Sequence, residues 1–259
     1  MLLNKKISDK NLGISSLARC FMFAGCMGLI GCASDSTKSD LSTVELKPTL
    51  ITTQVFVPVL KQDKEGVYLP YEPAVNPYAA QTSRLKKESV LTYINAQRAF
   101  DKQQYGAAEI LLRQLVIDDK KLSGPWVMLG DIASKKEDYV TAKSDYEEAI
   151  RINKDNVNAY LRLALAQREL GEFILAQNTY SEALAIWPDF PEAHLNLSIL
   201  YDLYLNHPIR AQEHMEAYQF LTNETDEKVA QWLKDVQSRT GIATKLKPIP
   251  VQYDEGLAP

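Results

Sequence analysis

The chain has 259 residues, of which 46% are hydrophobic and 24% are charged, a composition ordinary for a globular protein. Its formal net charge is −4, whereas nucleic-acid-binding domains usually carry a basic excess, so no nucleic-acid partner is expected. The last of its three cysteines is Cys32. A fold held by disulfides is therefore excluded for the rest of the chain, whose core must come from packing alone.

The segment 1–31 has the pattern of an export signal. A basic stretch ends at Arg19 and is followed by an apolar run over 20–31. Such a run has the length of a signal-peptide core and falls short of the roughly 20 residues that span a bilayer. The pattern predicts a signal peptide over residues 1–31.

The apolar run ends in the tetrapeptide Leu29-Ile-Gly-Cys32, which resembles the lipobox of bacterial lipoproteins. The resemblance implies cleavage between Gly31 and Cys32 and acylation of Cys32. Several acyl chains would give stable anchoring, since a single chain binds a membrane only marginally. Ala33 follows the cysteine, which in the enterobacterial sorting rule favours the outer membrane, with the protein on its periplasmic face. The alternatives are a plain signal peptide with incidental cysteines and an uncleaved hydrophobic anchor.

Residues 32–86 show no sustained helical period. They begin with polar residues and later contain several prolines, so we expect an acylated cysteine followed by a flexible tether. One part of this segment is too apolar for a plain tether, the stretch from Leu50 to Leu60. It either packs on the following domain, adds a strand to a partner, or is a locally sticky linker.

From residue 87 the pattern becomes helical, and one motif recurs at a constant spacing. The second and third units, which start at Ser123 and Val157, share aromatic and small residues at the same offsets. The motif resembles the tetratricopeptide repeat, a helix–turn–helix unit of that spacing. The first unit is weaker but in register, and the fourth has one extra residue in its turn, before Pro208. The residues that carry the resemblance are Trp126, Leu129, Gly130, Tyr139, Ala142, Tyr146 and Ala149, then Tyr160, Leu163, Ala164, Gly171, Phe173, Ala176, Tyr180, Ala183 and Pro188.

The resemblance predicts an all-α solenoid. The expected repeats are 89–122, 123–156, 157–190 and 191–225 within a domain of residues 87–240, followed by a capping helix over 226–240 and a disordered tail over 241–259. In the capping helix, Val229, Trp232, Leu233 and Val236 form one apolar stripe, as expected for a helix with one buried face.

No catalytic motif is present. Past Cys32 the chain has no cysteine, and no serine lies in a G-x-S-x-G sequence. His194 occupies the offset at which Trp126 and Tyr160 stand in earlier repeats, so a packed or surface histidine is expected rather than a metal ligand. We therefore expect a protein that is not an enzyme and has no cofactor, no metal and no small-molecule substrate.

The resemblance implies a binding surface on the concave face of the repeats, where a protein partner would lie. The function expected is that of a membrane-anchored periplasmic adaptor, as in envelope transport, pilus or secretion assemblies. The alternatives are an accessory subunit or regulator of a cell-wall-remodelling enzyme and a self-associating spacer. The candidate groove residues are Tyr93, Gln97, Phe100, Asp131, Lys135, Asn158, Arg162, Leu165, Arg168, Glu192, Asn196, Ile199 and Asp202.

Overall fold

The computed structural model describes residues 48–82, 85–223, 227–244 and 246. The predicted signal peptide, Gly31, Cys32, the tether up to residue 47 and most of the predicted tail lie outside the described residues. Within the described part the chain is all-α, as the sequence predicts, with nine α-helices and a short 3-10 helix at Gln54–Phe56. None of the helices in this part is both long and apolar enough to cross a membrane.

The helices follow one another in antiparallel pairs, with one pair in each repeat unit and one helix left over. Proline stands in the first turn of α3, α7 and α8, where its missing N–H is not needed. Pro208 therefore begins a helix rather than breaking one. The helices are α1 (Lys87–Asp101), α2 (Tyr105–Asp118), α3 (Gly124–Lys135), α4 (Tyr139–Ile152), α5 (Val157–Glu169), α6 (Phe173–Ile186), α7 (Pro191–Leu203), α8 (Pro208–Thr222) and α9 (Glu227–Thr240).

The turn inside each pair has one residue with a left-handed backbone. Its φ is 60° at Gln103, 62° at Glu137 and 77° at Gly171, which are equivalent positions in successive repeats. In the fourth pair the same conformation moves one residue on, to Asn206 with φ 54°. The single extra residue of the fourth unit is thus absorbed in its turn, and the helix that follows keeps its packing.

The core is built from the faces that the pairs turn toward one another. Tyr146 and Tyr180 are buried on the second helices α4 and α6. The capping helix contributes Val229, Leu233 and Val236, which are buried against α8. This stripe belongs to the core, as the sequence predicts, and it ends the stack with one buried and one solvated face.

Two predictions of disorder need correction. Two parts of residues 48–82, predicted as a flexible tether, contact the repeats: the stretch around Ile51 and the stretch from Tyr71 to Gln81 are hydrogen-bonded to partners that are distant in the sequence. The start of the predicted tail also packs, since Gln212 donates to the carbonyl of Ile242 at 3.0 Å and Leu246 is buried. Local composition indicated disorder, but distant polar groups on the helices satisfy the backbone of both segments.

Candidate functional site

The first helices of the repeats face one another on one side of the stack. Helix α3 contacts α5 directly, and α5 contacts α7, so these helices lie on the inner side, and the second helices α4, α6 and α8 lie outside. We call the inner surface the inner wall. Two rows of side chains cross it, each with one residue from every repeat: Gln97, Asp131, Leu165 and Ile199 in one row, and Phe100, Ser134, Arg168 and Asp202 in the other.

Asp131 connects neighbouring repeats on the inner wall. Its carboxylate accepts a hydrogen bond from the hydroxyl of Tyr146 at 2.8 Å, and it lies 3.4 Å from Nε of Arg162 on the next repeat. Burial raises the pKa of Asp131, and the charge of Arg162 opposes that rise. The two candidate residues are therefore partners of each other, although part of the Arg162 side chain stays exposed.

Asp202 has to be removed from the groove prediction. Its carboxylate accepts hydrogen bonds from the indole of Trp232 at 2.7 Å and from the guanidinium of Arg239 at 2.8 and 3.0 Å. Only 3% of its side chain is exposed. The capping helix thus closes this end of the inner wall, because α9 supplies both donors.

Tyr93 and Phe100 are both partly covered by neighbouring side chains. Tyr93 lines a pocket of about 540 Å³, together with Tyr78 and Leu122, and burial raises the pKa of its hydroxyl. Phe100 packs on the ring of Tyr105, with 5.5 Å between ring centroids. The first repeat therefore offers less aromatic surface to a partner than the sequence predicts.

The remaining candidates stay accessible to different degrees. Arg168 pairs with Glu169 at 3.0 Å, and its guanidinium lies over the half-exposed ring of Tyr204. Gln97 and Asn196 bond within their own helices. Lys135, Asn158 and Glu192 are exposed, whereas Leu165 and Ile199 are partly buried. The accessible part of the inner wall is therefore centred on α5, with apolar residues flanked by charge.

A second site, on the outer side, holds the apolar segment near the amino terminus. We call residues 49–57 the docked segment. The side-chain amide of Gln177 on α6 accepts from the N–H of Ile51 at 2.9 Å and donates to its C=O at 2.8 Å. The neighbouring Asn178 donates to the C=O of Thr49 at 3.1 Å. Of the alternatives that the sequence left open, packing on the domain is the one observed.

Thr53 is the buried side chain of the docked segment and enters a chain of buried polar groups. Its hydroxyl lies 2.7 Å from Nε2 of His214 and 2.9 Å from the hydroxyl of Tyr201. Nδ1 of His214 lies 2.8 Å from Nδ1 of His194, whose Nε2 lies 2.8 Å from the carbonyl of Pro188. We call the groups of α6, α7 and α8 that bind the docked segment the outer-face site. It includes this series of hydrogen-bonded side chains.

The partners fix the protonation of the outer-face site. A carbonyl only accepts, so Nε2 of His194 carries a hydrogen, and Nδ1 of a neutral His194 accepts from Nδ1–H of His214. Nε2 of His214 then accepts from Thr53, which in turn accepts from Tyr201. In this arrangement every ring nitrogen has a partner with both imidazoles neutral.

Burial also favours the neutral form of the two histidines. It lowers the pKa of His194 to about 4, against weaker opposing effects of the Pro188 carbonyl and Asp189. Burial, with the charges of His194 and Arg210, lowers the pKa of His214. No group of three or more potential ligands that could hold a metal occurs in the described part of the chain. The histidines are packed, as the sequence predicts for His194.

A second set of contacts holds the chain beyond the docked segment. The carboxylate of Asp189, between α6 and α7, accepts from the hydroxyl of Tyr71 and the N–H of Ala74, each at 2.6 Å. The indole of Trp187 donates to the carbonyl of Ala74 at 2.7 Å. Farther on, Gln81 bonds to the loop between α4 and α5. Residues 71–82 thus run back along the loops of the stack toward α1.

Sequence reasoning missed the outer-face site because its members share no motif. Gln177 and Asn178 stand on a helix, and Thr53 stands far earlier in the chain, before the first helical repeat. The signal that was present is the apolar stretch itself, which is more hydrophobic than a plain linker.

The comparisons with known proteins agree with this geometry. The family model described as Tetratricopeptide repeat matches residues 124–156 and 157–190. A search of curated proteins gave no match. Among solved structures, the chain is similar to MamA of Desulfovibrio magneticus RS-1, with 18% identity over 61% of this chain and 88% of that one and a TM-score of 0.52.

A thermophilic TPR protein of Thermus thermophilus is also similar, with 19% identity over 59% of this chain and 82% of that one and a TM-score of 0.50. At such identities the likeness concerns the fold alone. Stacked repeats of this kind form extended surfaces that bind other proteins. The chain therefore contains tetratricopeptide repeats, stacked in an all-α solenoid with the architecture of a protein-binding scaffold.

Proposed function

We propose that this protein is a lipid-anchored adaptor of the bacterial outer membrane that binds a protein partner on its inner wall, on the periplasmic side. In this proposal the signal peptide is cleaved after Gly31 and Cys32 is acylated. The partner is a periplasmic protein or a subunit of an envelope transport, pilus or secretion assembly.

The observation that carries the proposal is the position of the docked segment. A scaffold whose own chain filled the inner wall would have no surface for a partner. Among the described residues, the docked segment makes its hydrogen bonds with α6, α8 and Tyr201, and none with the candidate residues of the inner wall. Asn158 and Lys135 remain exposed, which supports a vacant binding surface there.

The docked segment also limits the reach of the anchor. The stretch of chain from Cys32 to Pro48 is short and spans at most about 55 Å when fully extended. A partner held on the inner wall would therefore stay close to the membrane. This suits an adaptor that works within a membrane complex.

Site-specific crosslinking in cells tests the partner. A photoreactive residue at Asn158 should capture another protein, and Leu165→Glu should abolish that capture because it places a charge in the apolar centre of the inner wall. Glu147→Lys is the matched control, since Glu147 is exposed on the outer helix α4. Capture that survives Leu165→Glu, or capture of a second copy alone, would refute the adaptor and favour a self-associating spacer.

The anchor is tested separately. Cys32→Ser should prevent labelling by an acyl-chain probe and move the protein from the membrane fraction to the soluble fraction. The experiment contradicts the lipid anchor if the wild-type chain takes up no acyl label.

A further inference from the structure

The first part of the docked segment is held by its backbone. Gln177 binds both the N–H and the C=O of Ile51, and Asn178 binds the C=O of Thr49. The side chains of Ile51 and Val55 remain 44% and 72% exposed. The segment turns into the 3-10 helix Gln54–Phe56, where the side chain of Gln54 donates to Glu213 on α8 and Phe56 packs against the apolar core. The outer-face site therefore combines backbone contacts before Thr53 with side-chain contacts from Thr53 onward.

Thr53 makes the most buried of these side-chain contacts. It is 1% exposed, and its hydroxyl joins the buried hydroxyl of Tyr201 to Nε2 of His214. Gln177, Tyr201 and His214 are all fully buried in the occupied site. A segment that covered these groups without a hydroxyl would leave buried polar atoms without partners, which costs free energy, so the site favours a segment with a hydroxyl at this position.

The segment that follows is suited to act as a hinge. Residues 61–70 are all exposed, and their backbone bonds are local, such as that from Asp63 to Val67. After this stretch, Tyr71 donates to Asp189 in the loop between α6 and α7. The docked segment can therefore leave the outer-face site without disturbing the contacts of Tyr71 or Gln81.

From these observations we propose that the outer-face site is a peptide-binding site in its own right, separate from the inner wall, whose ligand is a short segment with a central threonine followed by a single 3-10 turn. In this structure the ligand is the chain's own docked segment, which binds and leaves as one unit. The proposal does not depend on the lipid anchor or on a partner at the inner wall.

A peptide added to the full chain tests the proposal. The double variant Ile51→Pro, Thr53→Val removes one backbone donor and the buried hydroxyl, and should displace the docked segment. A labelled peptide of residues 48–58 should then bind this variant, and fluorescence anisotropy measures the affinity. The matched peptide with Thr53→Val should bind at least tenfold more weakly, as should the wild-type peptide to the wild-type chain, whose own segment competes.

The proposal is overturned if the double variant keeps its helical circular dichroism and binds neither peptide, or binds both equally. Hydrogen exchange on the wild-type chain covers the case of a variant that fails to fold. The amides bonded by the outer-face site, such as that of Ile51, should exchange through an opening that leaves α7 and α8 protected. Exchange of the docked segment only together with those helices would contradict a separable ligand.

Discussion

Replacing Gly130 with alanine tests how closely two helices of the second repeat approach. A Cβ at this position would lie 2.5 Å from Cε1 of Tyr146, whose ring is buried between α3 and α4. The hydroxyl of that tyrosine donates to Asp131 at 2.8 Å and lies 3.1 Å from the hydroxyl of Ser134. The ring has to move by about 1 Å to restore ordinary contact, which disturbs both hydrogen bonds.

The third repeat shows the alternative arrangement. At the equivalent positions it carries Ala164 and Tyr180, and the Tyr180 hydroxyl has no hydrogen-bond partner among the described residues. An alanine is thus compatible with the fold, and its cost at Gly130 is the loss of the hydrogen bonds of Tyr146 together with local strain. Overpacking and a lost buried hydrogen bond each cost about 1–3 kcal/mol, and the higher helix propensity of alanine returns about 1 kcal/mol. We expect Gly130→Ala to lower the free energy of unfolding by about 1–5 kcal/mol.

Urea unfolding followed by circular dichroism measures this change. Gly106→Ala is the matched control, since Gly106 lies in α2 with no atom within 4 Å of an added Cβ, and it should stabilise by about 0.5 kcal/mol. Tyr146→Phe removes the same hydrogen bonds, so its effect should not add to that of Gly130→Ala. Full additivity, or a Gly130→Ala variant as stable as the wild type, would refute the reasoning.

Two further predictions concern buried polar groups. Because His194 and His214 have folded pKa values below the unfolded value, the stability they contribute is complete above pH 6.5 and is lost as the pH falls from about 6.5 toward 4. Urea unfolding at pH 7.5 and 5.5 should therefore show a loss of stability that the double variant His194→Gln, His214→Gln lacks; an equal loss in both proteins would contradict this assignment. Asp202→Ala leaves the Trp232 indole without its acceptor and should destabilise the fold by about 1–3 kcal/mol. Asp235→Ala removes the exposed partner of Arg239 and should change stability by less than about 0.5 kcal/mol. Equal effects of the two variants on the free energy of unfolding would refute the role of Asp202 in holding the capping helix.

The helices and their pairing follow from local pattern. Tyr146 and Tyr180 stand at the same offset of successive units and fill the same gap in each, so one motif determines the packing at both places. The left-handed turn residue recurs with the same period at Gln103, Glu137 and Gly171. Each repeat packs mainly on its sequence neighbours, which is why the sequence alone predicts an all-α solenoid and its capping helix.

The candidate sites depend on contacts that no local pattern encodes. Asp202 stands in a groove row by its spacing, but donors on α9, 30 and 37 residues later, enclose its carboxylate. Thr53 lies in a segment with the composition of a linker, and its partners on α7 and α8 are 148 and 161 residues away. Composition and periodicity describe residues that are close together in the sequence. A hydrogen bond between distant polar groups leaves no mark on either of them. The sequence by itself determined the solenoid, and only the tertiary structure decided which of its surfaces the chain covers.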